Sequence, residues 1–418
     1  MFDRKTYFYK KSPIFLSILI LFSLSACDGD INLLGKHVNQ YADAGRTNSY
    51  EDYPKFQIAT HFIDYPVSVD SAGVSDAPIA VSAKEYFFPT ADGKIKYVVG
   101  HDEKRSYSLN KGERVAAGLV ADSAQNIYAV SSVGKLYSFG RQNDKPRFIL
   151  NLFDKSGGFI IYSDPIVVSG GLIVAHSEGE IAKISFDGKI IWKKNFDKYI
   201  NKTFAADNDG NIVLPLTNDL YGKTDQLTLL NSDGTERWIK DFPNTRFSGS
   251  PAVRDGIIYI LGTRKSDNYT FSTLYTIDST GKILKEREFE SHIRFISLAR
   301  DGRIYLAGYN AGIAKPFGSV HMIQPDGEFG LVRFFDMSIP APIMISGNSF
   351  AFTGIGNEGI ALFVMSDQGH IMKVVQLDDV PEIRLKPFMI PGGVTAYAGL
   401  DGFYIVKIDE TAVGKILF

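Results

Sequence analysis

The chain has 418 residues, a formal net charge of −2, 13% aromatic residues and a single cysteine, Cys27. A charge this close to zero gives no support to nucleic-acid binding or to a polybasic membrane contact. With one cysteine no internal disulfide can form, so the core must supply the stability.

In chain order the first element is a basic stretch, Arg4, Lys5, Lys10 and Lys11, followed by the apolar run 14–22 and then Leu24-Ser25-Ala26-Cys27. The run is too short to span a bilayer comfortably as a helix but suits the core of a signal peptide. Small residues before a cysteine resemble the lipobox of bacterial lipoproteins. That resemblance implies removal of residues 1–26 as a lipoprotein signal peptide, thioether lipidation of Cys27 and acylation (palmitate) of its new amino group. Each buried methylene of such chains contributes about 0.8 kcal/mol to anchoring. The other reading of this segment is an ordinary secretory signal or an uncleaved anchor. Residues 27–55 are polar and weakly patterned, as in Asp28-Gly29-Asp30, and are expected to form a flexible lipidated tether, with a short helix over 32–41 as an option.

From there to the end the chain repeats itself. Each unit reads as short β-branched or aromatic strands separated by turns, and the cores of the second strands align at Tyr86, Ile127, Leu172, Ile212, Ile258, Ile304, Phe350 and Val394. The gaps are 41, 45, 40, 46, 46, 46 and 44 residues. A period in the forties with four strands per unit indicates a β-propeller. Asp-Gly pairs at 187–188, 233–234, 255–256 and 301–302 supply the positive φ that tight hairpins require. Pro165, Pro251 and Pro342 fall at strand starts, where a missing amide donor is tolerated. Trp192 and Trp238 each stand four residues after a turn glycine, so equivalent rings are expected to pack between neighbouring blades.

The pieces Asp255-Gly256-Ile257-Ile258-Tyr259, Asp301-Gly302-Arg303-Ile304-Tyr305, Ile277-Asp278-Ser279-Thr280-Gly281 and Gly234-Thr235-Glu236-Arg237-Trp238 resemble the pyrroloquinoline-quinone (PQQ)-type propeller repeat over residues 78–418. Most units lack the tryptophan, and Lys285 stands in its place in the fifth. The expectation is an all-β domain over 56–418, an eight-bladed propeller of four-stranded antiparallel blades, with seven blades as the alternative. Ring closure would use a strand from 56–69 or from 413–418.

The PQQ resemblance invites a quinoprotein enzyme. Such enzymes commonly hold the quinone with calcium, carboxylates and a pair of adjacent cysteines, and no cysteine other than Cys27 exists here. No cofactor and no metal are therefore expected. The seven histidines show no metal-ligand spacing, and the calcium-like turn Asp207-Asn208-Asp209-Gly210 lacks a downstream bidentate Glu. No nucleophile elbow or phosphate loop is present.

Lipobox, tether, length and degenerate repeats together resemble the propeller lipoproteins of the outer-membrane β-barrel assembly machinery. That resemblance implies a non-catalytic, periplasm-facing scaffold that binds protein partners. The alternatives are an envelope sensor recognising a carbohydrate or small molecule and, third, a degenerate quinoprotein enzyme. The outer membrane is favoured, although Asp28 resembles the inner-membrane retention signal of enteric lipoproteins. Three long second-to-third-strand loops, 217–226, 263–272 and 309–318, are expected to cluster on one sector of one face. They carry Tyr221, Arg264, Tyr269, Phe271, Tyr309 and Phe317, residue types favoured at protein-binding hot spots, and form the candidate partner surface.

Overall fold

The computed structural model describes residues 67–68, 79–82, 85–99, 102–153, 163–200, 202–218, 224–266, 269–310, 317–357, 359–376, 388–390, 394–398 and 402–407. Cys27, Asp28, the tether and its optional helix lie outside the described residues. Every regular element among the described residues is a β-strand, and the strands fall into eight sheets. Blade 3 shows the pattern: Ile166–Val168, Gly171–Ala175, Glu180–Ile184 and Ile190–Asn195 pair antiparallel in chain order. The other blades span 79–108, 120–151, 205–242, 246–289, 292–335, 344–376 and 388–407. All eight residues aligned from the repeat fall on second strands, from Glu85–Pro89 in blade 1 to Val394–Ala398 in blade 8.

Blade 8 takes its outermost strand from the other end of the chain, with Val67 opposite Phe403 and Ser68 opposite Gly402. Closure therefore uses the 56–69 option. It ties first and last blades together and leaves no unpaired edge where the ring meets. Blade 5 departs from the pattern, because its innermost strand is split into Arg246–Phe247 and Ala252–Arg254, both paired with Ile257–Ser266.

Burial explains the alternation along the chain. Inner strands such as Gly171–Ala175 are buried on both faces, whereas outermost strands such as Pro146–Asn151 alternate half-buried and exposed. Each apolar cluster straddles two neighbouring blades: Leu172 and Val174 of blade 3 pack with Val120, Tyr128 and Val130 of blade 2, and Ile173 and Ile181 pack with Ile212 and Leu214 of blade 4. A fully buried Val, Leu, Ile or Phe contributes about 1.5–3 kcal/mol, so the blades are held by their seams.

One contact recurs at the seams. The residue four positions after a turn glycine lies against the turn glycine of the next blade. Trp192 covers Gly234, where a Cβ would come within 2.7 Å of the ring, and Trp238 covers Gly281, where it would come within 3.0 Å. Both glycines have φ of +85°, a conformation that strains other residues. Each indole N–H donates to a carbonyl two residues before that glycine, Trp192 Nε1 to Ser232 O and Trp238 Nε1 to Ser279 O, both at 3.1 Å. Leu331 meets Gly369 in the corresponding place, and Phe148 meets Gly188.

The seam between blades 5 and 6 also buries His321, packed against Phe289, Phe329 and Phe334 with ring centres 5.4, 6.3 and 6.2 Å away. Neither ring nitrogen has a hydrogen-bond partner. Burial disfavours the imidazolium and pushes the pKa down to about 4.

Candidate protein-binding face

In antiparallel four-stranded blades the second-to-third loops and the connections between blades share one face. The structure alters the expected loops on that face. In blade 5, pairing continues through Thr263–Ser272, Arg264–Phe271 and Lys265–Thr270 to Ser266–Tyr269, so only residues 267–268 lie between the strands. The segment expected as a loop is a hairpin extension, because its Thr, Tyr and Phe side chains suit a pleated surface. In blade 6, Tyr309 pairs with Gly318 and Asn310 with Phe317, so both ends of the segment expected as a loop belong to strands. In blade 4 the strands end at Thr217 and resume at Asp225. Tyr221 lies outside the described residues.

The candidate residues thus come from two structural settings. Arg264, Tyr269 and Phe271 stand on one hairpin and Tyr309 and Phe317 on the next. Arg264 is engaged within the blade: its guanidinium lies 5.6 Å from the centre of the Tyr275 ring, Nε donates to Thr245 Oγ1 at 3.2 Å, and one terminal nitrogen lies 3.5 Å from Glu286. It braces the hairpin. Phe271 and Phe317 are half-buried.

Nearer the axis the structure assembles a group that the linear sequence conceals. Lys202 in the connection before blade 4, Arg246 at the start of the innermost strand of blade 5 and Arg294 near the start of that of blade 6 act on one another electrostatically. Neighbouring contacts hold these starts in place: Thr203 Oγ1 lies 2.7 Å from Ser250 Oγ, and Ser248 Oγ donates to Ile293 O at 3.0 Å. The carboxylate of Asp225 is near Lys202 and Arg246. Asp225 is fully buried, its Oδ2 accepts the Phe247 N–H at 2.7 Å, and its Oδ1 lies 3.5 Å from Arg246 Nε.

The electrostatics of this group follow from that imbalance. Desolvation pushes the Lys202 ammonium below the usual lysine range, and Arg294 and Arg246 push it further, against the opposing pull of Asp225. His292, on the first position of the innermost strand of blade 6, is also lowered by burial, then by Arg294 and Lys202. Among the described residues Lys202 has no ion-pair or hydrogen-bond partner. Lys202 is thus repelled by two neighbouring cations, and an added anion would relieve that repulsion. Sequence reading missed this set because the residues lie 44 and 48 positions apart. Stacking the repeats in register is the signal that finds them, because Lys202 lies three residues before a first strand, Arg246 opens one and Arg294 is the third residue of one.

The turn at 207–210 is an ordinary hairpin turn. Asp207 Oδ1 accepts the N–H groups of Asp209 and Asn211 at 3.0 and 2.8 Å, and Oδ2 accepts Asn211 Nδ2 at 2.8 Å. Asp122 organises the matching turn of blade 2 in the same way.

Sheet order, seam packing and closure define a β-propeller. The sequence matches no protein-family profile and no curated protein. Among solved structures, the chain resembles BamB from Moraxella catarrhalis, with a TM-score of 0.58 and 14% identity over 82% of this chain and 99% of that one. The Dos1 propeller aligns with a TM-score of 0.62 and 10% identity over 84% of this chain and 96% of that one. A europium-containing methanol dehydrogenase aligns with a TM-score of 0.59 and 9% identity over 86% and 88%. At such identities the likeness is one of fold, and one fold serves both non-enzymes and enzymes.

Proposed function

We propose that this chain is a non-catalytic scaffold, lipid-anchored at Cys27 in the bacterial envelope, that holds an acidic surface of a protein partner on the basic sector of blades 4–6. The observation that carries the reading is the convergence of Arg246 and Arg294 on Lys202, beside the buried carboxylate of Asp225. Anionic partner groups would gain from three partly desolvated cations, and the flanking aromatic hairpins would supply apolar contact. The lipobox sequence and the shared propeller fold with BamB support placing the partner in the outer-membrane barrel-assembly complex.

The test is co-purification from detergent-solubilised membranes of the producing bacterium, read as recovery of the barrel-inserting subunit of that complex. The double variant Lys202→Ala/Arg294→Ala removes two half-buried cations, and circular dichroism checks that the fold persists. Recovery is expected to fall at least ten-fold. Undiminished recovery with a folded double variant, or no recovery with the wild type, rejects the assignment. Replacing Tyr269, Phe271 and Tyr309 with Ala tests the hairpins in the same assay.

A further inference from the structure

The seam between blades 5 and 6 keeps the turn that receives a docking ring but lacks the ring. Gly327 has φ of +91° and donates its N–H to Gln324 O at 2.8 Å, as Gly281 donates to Asp278 O at 3.0 Å one blade earlier. The docking position, four residues after Gly281, is Lys285. Its Nζ lies over Gly327, 2.4 Å from where a Cβ would stand, in the place that the indole rings occupy over Gly234 and Gly281.

A thin, flexible chain fills this place poorly. A cavity of about 320 Å³ remains, and Leu284, Lys285, Arg287, Ile304, Ile323 and Pro325 are among the residues that line it. That volume falls at the lower end of small-ligand sites, which run from about 300 to 1,000 Å³. Pro325 O is the counterpart of Ser232 O and Ser279 O, the two carbonyls that accept an indole N–H, and no described donor reaches it. Leu284 is 49% exposed, so apolar surface is left uncovered at the cavity. The charged side chains lining the cavity are Lys285, Arg287 and Asp326, two cations against one carboxylate. Arg287 donates to Gly327 O and lies 4.5 Å from the Phe329 ring centre, and neither Arg287 nor Lys285 has an ion-pair partner among the described residues.

We propose that this socket binds the indole ring of a tryptophan in an acidic segment of a partner protein. The ring would stack on Gly327 and donate its N–H to Pro325 O, repeating the two intramolecular examples, after the flexible Lys285 side chain swings aside. Lys285 and Arg287 would then face carboxylates beside the tryptophan. Third-to-fourth-strand turns lie at the opposite ends of the blades from the basic sector. The socket is therefore a separate site, and its failure would leave the proposed function standing.

The full-length protein in detergent is titrated with the blocked peptides Glu-Trp-Glu and Glu-Ala-Glu, the first carrying 5-fluorotryptophan for fluorine NMR. Binding of the tryptophan peptide alone is expected. Lys285→Trp fills the socket from within, so it should raise the thermal midpoint and weaken peptide binding at least ten-fold. Lys285→Glu changes only an exposed side chain. It should weaken the acidic peptide ten-fold while leaving N-acetyltryptophanamide binding unchanged, which keeps the test decisive if the Trp variant misfolds. Equal affinity for the two peptides, no binding by the wild type, or full affinity in both variants overturns the proposal.

Discussion

Replacing His321 should remove a specific part of the acid sensitivity of the fold. The imidazole has a pKa near 4 in the folded protein against 6.5 for the free side chain. The unfolded chain therefore takes up a proton as pH falls through 6.5, and the folded chain does not until pH 4. Stability contributed by the neutral ring is complete above pH 6.5, declines below it and levels off near pH 4. The difference of 2.5 between these values corresponds to about 3 kcal/mol at 1.36 kcal/mol per unit, of which about 2 kcal/mol is lost by pH 5. The assay is urea unfolding of wild type and His321→Leu at pH 7.5, 6, 5 and 4.5. The substitution shifts stability by an offset that does not depend on pH, because the surrounding Phe289, Phe329 and Phe334 do not titrate. Other groups, such as His292 and the lowered carboxylates Glu113 and Glu180, titrate in both proteins and cancel in the difference. Wild type should lose about 2 kcal/mol more than the variant between pH 7.5 and 5. Parallel pH profiles would refute the claim that a buried, unpartnered imidazole sits in this seam.

Further outcomes are expected at the Trp238 seam and at the N-terminus. Gly281→Ala forces a residue with φ of +85° to carry a Cβ against Trp238, and should cost about 2–4 kcal/mol by thermal or urea unfolding. Trp238→Ala empties the same contact and should cost about 3 kcal/mol, while the double variant costs less than the sum, because one interaction is lost twice. Cys27→Ser is expected to move the protein from the membrane to the soluble fraction, whereas wild type and Asp28→Ser should both fractionate with the outer membrane. An unchanged distribution of Cys27→Ser in sucrose-gradient fractions defeats the lipobox assignment, and wild type in the inner membrane defeats the outer-membrane one.

The propeller repeat was legible in the sequence because its signals are local. A turn glycine needs positive φ whatever surrounds it, and β-branched and aromatic runs report a pleated strand within a few residues. Those two facts placed every second strand, and the spacing of Trp192 and Trp238 announced the docking contact. The hairpin of blade 5 was misread as a loop because Arg264, Lys265 and Ser266 look solvent-loving, whereas cross-strand pairing with Tyr269, Thr270 and Phe271 decides their conformation.

The remainder belongs to tertiary structure. Whether 56–69 or 413–418 closed the ring depended on which terminus could reach blade 8, and pairing of Val67–Ser68 with Gly402 and Phe403 settled it. Lys202, Arg246 and Arg294 come within electrostatic reach of one another only where blades 4, 5 and 6 meet. In the sequence Lys285 is simply a tryptophan that is missing. In the fold it marks a socket, because the shape of a seam is set by two blades at once and is written in neither alone.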